Sequence, residues 1–253
     1  MSVKTEELIA ALDNLLEPGQ FRDYAPNGLQ VEGCPEVKRL VSGVTASQAL
    51  LDAAVEWEAD AILVHHGYFW KGEDACIRGI KRKRLKTLLD HDINLLAYHL
   101  PLDAHATLGN NARLGDLLGL KVTGGLEVGN PRSIGLVGEL ETALTAQQLT
   151  QRIATVLGRE PLHIDGGPEL IRTLGWCSGG AQGYIEKAVA LGLDAFISGE
   201  VSEPTFHSAQ ENGIHYFAAG HHATERYGAK AVGEYLAEAF ALEHRFIDIP
   251  NPV

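Results

Sequence analysis

The sequence predicts an α/β protein made of two similar halves, and three observations carry this prediction. Short apolar runs with strand character alternate with helical segments, which is typical of a mainly parallel sheet covered by helices on both faces. Segments of the first half recur, in the same order, in the second half. Polar residues directly follow the predicted strands in both halves, which is where open α/β sheets bind their ligands.

The first half is expected to span residues 1–124 and to open with an amphipathic helix. Thr5 is the expected N-cap of this helix, and Pro18 followed by Gly19 ends it. Apolar periodicity and turn residues then predict alternating elements. They are strands at 40–44, 61–64 and 93–98, a helix from a Ser47 cap to about Trp57, a basic helix at 81–89 and a helix at 110–118.

The second half is expected to span residues 125–253, because the segment 124–131 is rich in Gly with Asn and Pro. A strand is predicted near 134–137. The next helix opens with a capping-box pattern, in which Thr145 is followed three residues later by Gln148. The C-terminal helix is the element that could pack back on the first half.

Three pairs of matching segments indicate an internal duplication. Their offsets are 172 − 39 = 133, 194 − 60 = 134 and 214 − 93 = 121. Any two βα units share some apolar pattern, but these matches also include Arg and Asp. The matched segments are 39–43 with 172–176, 60–64 with 194–198, and 93–97 with 214–218.

The composition argues against several classes of protein. A formal net charge of -12 disfavours binding to a phosphate backbone, so nucleic acid is an unexpected partner. The three cysteines lie far apart and form no C-x-x-C pair, which argues against a disulfide framework and for a reducing, cytoplasmic location. The N-terminal segment lacks the layout of a signal peptide, and no apolar run is long enough to span a membrane.

Histidines and carboxylates at the predicted strand ends point to a metal site. His221 and Glu225 are four residues apart, so a helix that starts by His221 would present both on one face. His65 and His66 follow one predicted strand. They can converge only if that strand has ended, which Gly67 permits.

These residues, together with Asp103 after the next strand, suit two divalent ions that share a water molecule. Imidazole and carboxylate ligands accept Zn, Fe, Mn or Mg, so the metal stays open. Taken singly, a histidine at a strand end is more often structural, and an i, i+4 His–Glu pair is common on solvated helices. Their joint placement favours the metal site. The residues expected to orient the ligands are Thr45, His99, Glu200 and Thr224.

Three further features have two interpretations each. The loop 178–183 is favoured as a plain βα turn over a phosphate-binding loop, because it lacks the P-loop lysine. The basic cluster 78–86 could attract an anionic substrate, although such a run is more often a solvated helix face. The aromatic residues 68–70 could wall the site or belong to the core or to a subunit interface.

Five motifs together resemble the YbgI family, also called the NGG-one-interacting-factor-three-like family. Its members are often named GTP cyclohydrolase type-two homologues. The likeness covers nearly the whole chain in the right order. The motifs are Asn27-Gly28-Leu29-Gln30-Val31, His65-His66-Gly67, His99-Leu100-Pro101-Leu102-Asp103, Ser198-Gly199-Glu200 and Gly220-His221-His222-Ala223-Thr224-Glu225.

The resemblance implies a duplicated α/β fold, a dinuclear metal site between the two halves and a toroidal homohexamer. It also implies that the chain lacks the inserted domain of some members, because it is too short for one. The family's ligand positions fall on His65, His66, Asp103, His221 and Glu225.

Two functional hypotheses follow from the residues and the resemblance. The first is a metal-dependent hydrolase in which two ions activate a water molecule and His99 or Glu200 moves protons. Its substrate would be a nucleotide or another anionic small molecule. The second is a non-catalytic metal-binding or adaptor protein that forms a ring. A ring that binds nucleic acid is disfavoured by the acidic charge.

Overall fold

The computed structural model describes residues 2–253. The chain divides into two compact units. Unit 1 comprises Met1–Leu102 and Gly228–Pro250, and unit 2 comprises Asp103–Tyr227 and Asn251–Val253. No helix among the described residues combines the length and the apolar character that crossing a membrane requires.

The strands, in chain order, are β1 (Val3–Lys4), β2 (Gly28–Val31), β3 (Glu36–Val37), β4 (Arg39–Thr45), β5 (Ala61–His66), β6 (Asn94–Ala97), β7 (Leu120–Gly125), β8 (Leu136–Leu144), β9 (Leu162–Ile164), β10 (Ile171–Cys177), β11 (Ala195–Ser198), β12 (His215–Ala218) and β13 (Glu243–Phe246).

The α-helices are α1 (Thr5–Leu16), α2 (Gln48–Glu56), α3 (Gly79–Asp90), α4 (Leu100–Ala104), α5 (Asn110–Leu118), α6 (Ala146–Leu157), α7 (Ile185–Ala190), α8 (Glu203–Asn212) and α9 (His221–Phe240). Short 3₁₀ turns lie at Pro18–Gln20 and Gln182–Tyr184. Residues 221–227 of α9 belong to unit 2, and residues 228–240 belong to unit 1.

Unit 1 is organised around a sheet with the strand order β13-β4-β5-β6-β2. Strands β13, β4, β5 and β6 run parallel, and β2 pairs with β6 in the antiparallel direction. Nearly every residue of β5 and β6 is buried. That burial explains why these strands read as continuous apolar runs rather than as alternating ones.

Unit 2 contains a sheet with the strand order β7-β8-β10-β11-β12-β9. Only its centre, β10-β11-β12, is parallel. The pairs β7/β8, β8/β10 and β12/β9 are antiparallel. The α/β class is therefore confirmed, whereas the sheet of this unit is mixed, because consecutive strands such as β7 and β8 pair directly without an intervening helix.

The core of unit 2 closes around Trp176 of β10, which is fully buried. Its indole Nε1–H donates to the main-chain oxygen of Asn111 at 2.8 Å, so the one polar group of the ring is satisfied. A Cβ at Gly115 would lie 2.7 Å from the ring. This helix position therefore has no room for a side chain.

Several local predictions are confirmed and several are wrong. Ser47 caps α2 by accepting from the Leu50 N–H, and Thr145 with Gln148 forms the expected capping box of α6. Thr5 does not cap α1. Lys4 occupies the N-cap position, and the Thr5 hydroxyl donates instead to the Cys34 carbonyl at 2.8 Å.

Two boundaries also differ from the prediction. Strand β5 continues through His66 and ends before Gly67, because its ladder with β4 extends to the pair Thr45 and His66. Strand β7 runs to Gly125, so the predicted boundary after residue 124 lies inside a strand. The division into halves at 1–124 and 125–253 stays a prediction about folding units.

The two units share one pattern of hydrogen bonds at the start of their central strands, in which an aspartate accepts from two main-chain N–H groups. Asp60 accepts from the main-chain N–H groups of Lys38 and Arg39 at 2.8 and 2.7 Å. Asp194 accepts from those of Arg172 and Thr173 at 2.9 and 2.8 Å. Asp60 thus ties the loop before β5 to the start of β4, and Asp194 ties the loop before β11 to the start of β10.

The strand registers align the two parallel cores. Leu40 pairs with Ala61 in unit 1, and Leu174 pairs with Ala195 in unit 2. Both pairs are related by the same offset, since 174 − 40 = 134 and 195 − 61 = 134. This register shifts the first predicted match by one residue. It supports the expectation of an internal duplication, which stays a prediction.

Replacing Asp60 or Asp194 by alanine should destabilise the fold. Each change removes a charged acceptor from two main-chain donors, and such hydrogen bonds are worth roughly 1.5–3 kcal/mol in the free energy of unfolding. Urea unfolding followed by circular dichroism measures this loss. The control is Asp116→Ala, which removes an exposed carboxylate 3.6 Å from Arg113 and should change the free energy by less than about 0.5 kcal/mol. Equal midpoints for all three variants would contradict the assigned role.

Candidate metal centre

Three histidines gather at the carboxyl ends of β5 and β6 in unit 1. His65 and His66 end β5, and His99 follows β6, which runs parallel to β5. The ring centroid of His65 lies 4.5 Å from that of His66 and 5.0 Å from that of His99. Each ring offers a nitrogen within 4.8 Å of the others, so this group could hold a metal ion.

The neighbours of His65 and His66 orient their rings. His65 is buried, and its Nδ1 lies 3.1 Å from the carbonyl oxygen of Tyr98. Because a carbonyl only accepts, Nδ1 carries the proton and Nε2 carries the lone pair, which is the tautomer of a metal ligand. His66 Nδ1 lies 3.2 Å from the hydroxyl of Thr45, as expected for an orienting residue.

His99 is held by a carboxylate that the sequence did not identify. Its Nδ1 donates to Asp23 Oδ1 at 2.6 Å. Burial by itself would raise the pKa of Asp23, but hydrogen bonds from His99 and Asn27 lower it to about 2. Asp23 also accepts from the Leu100 N–H at 2.9 Å. The carboxylate therefore stays ionised at neutral pH and fixes both the ring and the start of α4.

Of the aromatic residues after β5, Trp70 borders the histidines. Its ring lies 5.0 Å from His99 at an interplanar angle of 84°, and 5.8 Å from His66. Tyr68 is instead a core residue, because it is buried and its hydroxyl donates to the Ala46 carbonyl at 2.8 Å. Tyr68 thus belongs to the core, whereas Trp70 lies beside the candidate ligands.

In unit 2, the beginning of α9 presents His221 and Glu225 on one face. His221 Nε2 lies 3.2 Å from Glu225 Oε2, as the i, i+4 spacing predicts. On the other side of the ring, His221 Nδ1 donates to Glu200 Oε1 at 2.7 Å. Glu200 follows β11 and His221 follows β12. Because these two strands are parallel neighbours, the carboxylate and the imidazole lie at the same edge of the sheet.

Asp103 of α4 is buried and fixed by two neighbours. Its Oδ1 accepts from Asn110 Nδ2 at 2.9 Å and from the Ser178 hydroxyl at 3.2 Å. Asn110 begins α5, and Ser178 follows β10. Neither was identified from the sequence as a partner of Asp103.

Asp103 and Glu225 form a concentrated negative charge. Asp103 is 7% exposed and Glu225 is 3% exposed, and each offers a carboxylate oxygen within 4.8 Å of the other. Two buried carboxylates this close repel each other unless a cation or a proton compensates them. The donor set of unit 2 therefore fits a divalent ion.

His221 supplies part of that compensation without a metal. Burial by itself would lower its pKa, but the hydrogen bonds and charges of Glu225 and Glu200 raise it to about 9. The ring is then an imidazolium at neutral pH. A metal ion bound at Nε2 would take the place of this proton.

The glycine loop after β10 packs closely against the Glu225 carboxylate. Gly179 has a φ of +65°, and a Cβ there would lie 2.1 Å from Glu225 Oε1. Its N–H donates to the Thr224 hydroxyl at 3.0 Å, so Thr224 holds the loop rather than an imidazole. Helix α7 behind the loop spans only Ile185–Ala190, which agrees with a plain turn.

Three residues of the basic cluster 78–86, namely Arg78, Lys81 and Lys86, pair with nearby carboxylates. Arg78 bonds Asp74 at 2.6 Å, and Lys81 lies 3.3 Å from Glu73. These contacts fit the solvated helix face better than a substrate-binding patch.

Comparisons with known proteins identify relatives over the full length of the chain. A family model for Duf34/NIF3 (NGG1p interacting factor 3) matches residues 3–252. A Pseudomonas aeruginosa protein named "GTP cyclohydrolase 1 type 2 homolog" is 59% identical over 252 residues, which cover 100% of both chains.

Solved structures agree with this assignment. The structure of protein ybgI, described as of unknown function, has a TM-score of 0.96 and 54% identity and covers 99% of this chain and 100% of its own. A protein from Thermus thermophilus has a TM-score of 0.90 and 36% identity, with coverage of 99% and 100%. The resemblance drawn from the five motifs is thereby confirmed.

The metal-free protein should contain a histidine that titrates near pH 9. NMR titration of the imidazole signals measures the pKa of His221, and Glu200→Gln should lower it by removing one charge that favours the protonated ring. The raised pKa stabilises the metal-free fold fully below pH 6.5, and this contribution is lost as the pH rises through about 9. Glu203→Gln, which alters the carboxylate beside exposed His207, is the matched control. A normal pKa for His221 would contradict the described pairing.

Proposed function

This chain belongs to the Duf34/NIF3 family, and we propose that it is a metal-dependent hydrolase with a dinuclear centre. The ligands would be those expected from the sequence: His65, His66, Asp103, His221 and Glu225. The observation that carries the proposal is the pair of buried carboxylates, Asp103 and Glu225, which a bound cation would neutralise.

The hydrogen bonds of the imidazoles support the same assignment. His65 and His221 each direct Nδ1–H to a protein oxygen, which turns Nε2 toward ligation. Zn, Fe, Mn and Mg all fit a set of nitrogen and carboxylate ligands, with Mg the least suited to imidazole. Two ions per chain remain part of the proposal.

Bound divalent ions would lower the pKa of a water molecule and so supply a nucleophile near neutral pH. The chain's own residues would then manage protons and orientation. His99 is paired through Nδ1 with ionised Asp23, so its Nε2 is suited to accept and return a proton. Glu200 contacts His221 directly, which favours a role in orienting that ring over independent proton transfer.

The substrate class follows from the names of the relatives. Proteins 55–59% identical to this chain are named GTP cyclohydrolase 1 type 2 homologues. We therefore propose a nucleotide or a similar anionic small molecule, with GTP as the first compound to test. A homohexamer and a cytoplasmic location complete the proposal. The free thiols of Cys34, Cys76 and Cys177 agree with a reducing compartment.

Loss of single ligands should lower the metal content. Protein purified without added metal is expected to carry about two ions per chain by elemental analysis. His66→Ala and Glu225→Ala should each lower this number while the circular dichroism spectrum is kept. His207→Ala removes an exposed histidine of unit 2 and is the control.

Normal metal content in both ligand variants would overturn the proposed ligand set. Metal bound as expected, but without turnover of GTP or other nucleotides, would favour the non-catalytic metal-binding protein instead.

Replacing His99 by glutamine should separate catalysis from metal binding. If His99 transfers the proton, kcat for the hydrolysed nucleotide should fall by about 10²–10⁴-fold. The metal content should stay that of the parent chain. Asp23→Asn should reduce kcat less, because it weakens the hydrogen bond that orients the ring without removing the ring itself. A parent-like kcat in His99→Gln would contradict this role.

A further inference from the structure

A second cluster of ligating side chains lies at the edge of the sheet in unit 2. Strand β9 pairs antiparallel with β12, with His163 opposite Phe217 and Ile164 opposite Tyr216. Side chains two residues apart on a strand share a face. His163 and His215 are therefore brought to one face by the register, and Asp165 directly follows β9.

The distances between their ligating atoms are those of a small coordination site. His163 Nε2 lies 3.2 Å from His215 Nδ1, and His215 Nδ1 lies 3.3 Å from Asp165 Oδ1. All three atoms lie within 4.8 Å of one another. A tetrahedral zinc ion with nitrogen and oxygen ligands at about 2.0–2.1 Å separates its ligands by about 3.3–3.4 Å.

The surroundings hold His215 in the ligand tautomer. Its Nε2–H donates to the Pro168 carbonyl at 2.8 Å, so Nδ1 carries the lone pair that faces the cluster. The chain reaches this position through Gly166 and Gly167. A Cβ at Gly167 would lie 2.5 Å from the His215 ring, so the close approach requires glycine.

His163 has a ring fixed by stacking, whereas Asp165 is open to solvent. His163 stacks on Phe217, with centroids 4.6 Å apart and an interplanar angle of 15°. Burial, and then the neighbouring His215, lowers the pKa of His163, which keeps the ring neutral as a ligand must be. The Asp165 side chain is 81% exposed, so an ion can enter from solvent and keep water in its remaining position.

We propose that His163, Asp165 and His215 form a separate site for a divalent transition metal such as Zn²⁺. The ion replaces the hydrogen bond between the two imidazoles. The proton on His163 Nε2 moves through solvent to Nδ1, so the neutral rings release no net proton. This site uses none of the ligands of the proposed dinuclear centre and does not depend on the proposed hydrolase activity.

Zinc titration of the metal-free full-length chain, against a chromophoric chelator, tests the site. His163→Ala and Asp165→Asn should each lose one zinc ion per chain or bind that ion at least about tenfold more weakly. His207→Ala removes an exposed histidine that lies beside Glu203, and this variant should bind zinc as the parent chain does. Asp165→Asn changes an exposed side chain, so it remains a fair test if His163→Ala does not fold.

Two further readouts distinguish this site from the dinuclear centre. Glu225→Ala should keep the additional zinc ion, and ¹⁵N signals of the His163 and His215 rings should shift at saturating zinc. Unchanged ring signals, or equal zinc stoichiometry and affinity in His163→Ala, Asp165→Asn and the parent chain, would overturn the proposal. The cluster would then be a hydrogen-bonded brace of the sheet edge only.

Discussion

Parallel pairing of neighbouring strands is the constraint from which the candidate ligand groups arise. When β5 and β6 run in the same direction, the residues that follow them emerge at one edge of the sheet, and this places His65 beside His99. In unit 2, β11 and β12 bring Glu200 beside His221 in the same way. At the opposite ends of these sheets, Asp60 and Asp194 tie the starts of neighbouring strands together. The register that places the candidate ligands is therefore held by hydrogen bonds from main-chain N–H groups to these carboxylates.

Hydrogen bonding then decides what each imidazole can do. A ring that donates Nδ1–H to an oxygen presents Nε2, and the acceptor differs from one histidine to the next. His65 meets a neutral carbonyl, which fixes the tautomer without adding charge. His99 and His221 each donate to a carboxylate, and for His221 the carboxylates also raise the pKa of the ring. The same type of side chain is thereby held in different environments, which suit the different roles proposed for His65 and His99.

Buried negative charge in unit 2 is the feature that would favour the binding of a cation. Asp103 and Glu225 are desolvated, and the imidazolium of His221 offsets only part of their charge. In the proposed metal centre, a metal ion and a proton would compete for His221, so the affinity for metal should rise with pH. Stability of the fold does not require this buried pair, because apolar residues of similar volume often stabilise the folded state equally well. The retained charge points to function.

The sequence by itself determined the features that depend on near neighbours. The spacing of His221 and Glu225, the cap at Ser47 and the apolar runs of the central strands all follow from helix and strand periodicity, and the structure keeps them. Only the tertiary structure decided that Asp23 pairs with His99 across 76 residues, and that Asp165 lies beside the histidines of β9 and β12. Such contacts depend on strand register and on the packing of distant loops, which no local pattern of residues encodes.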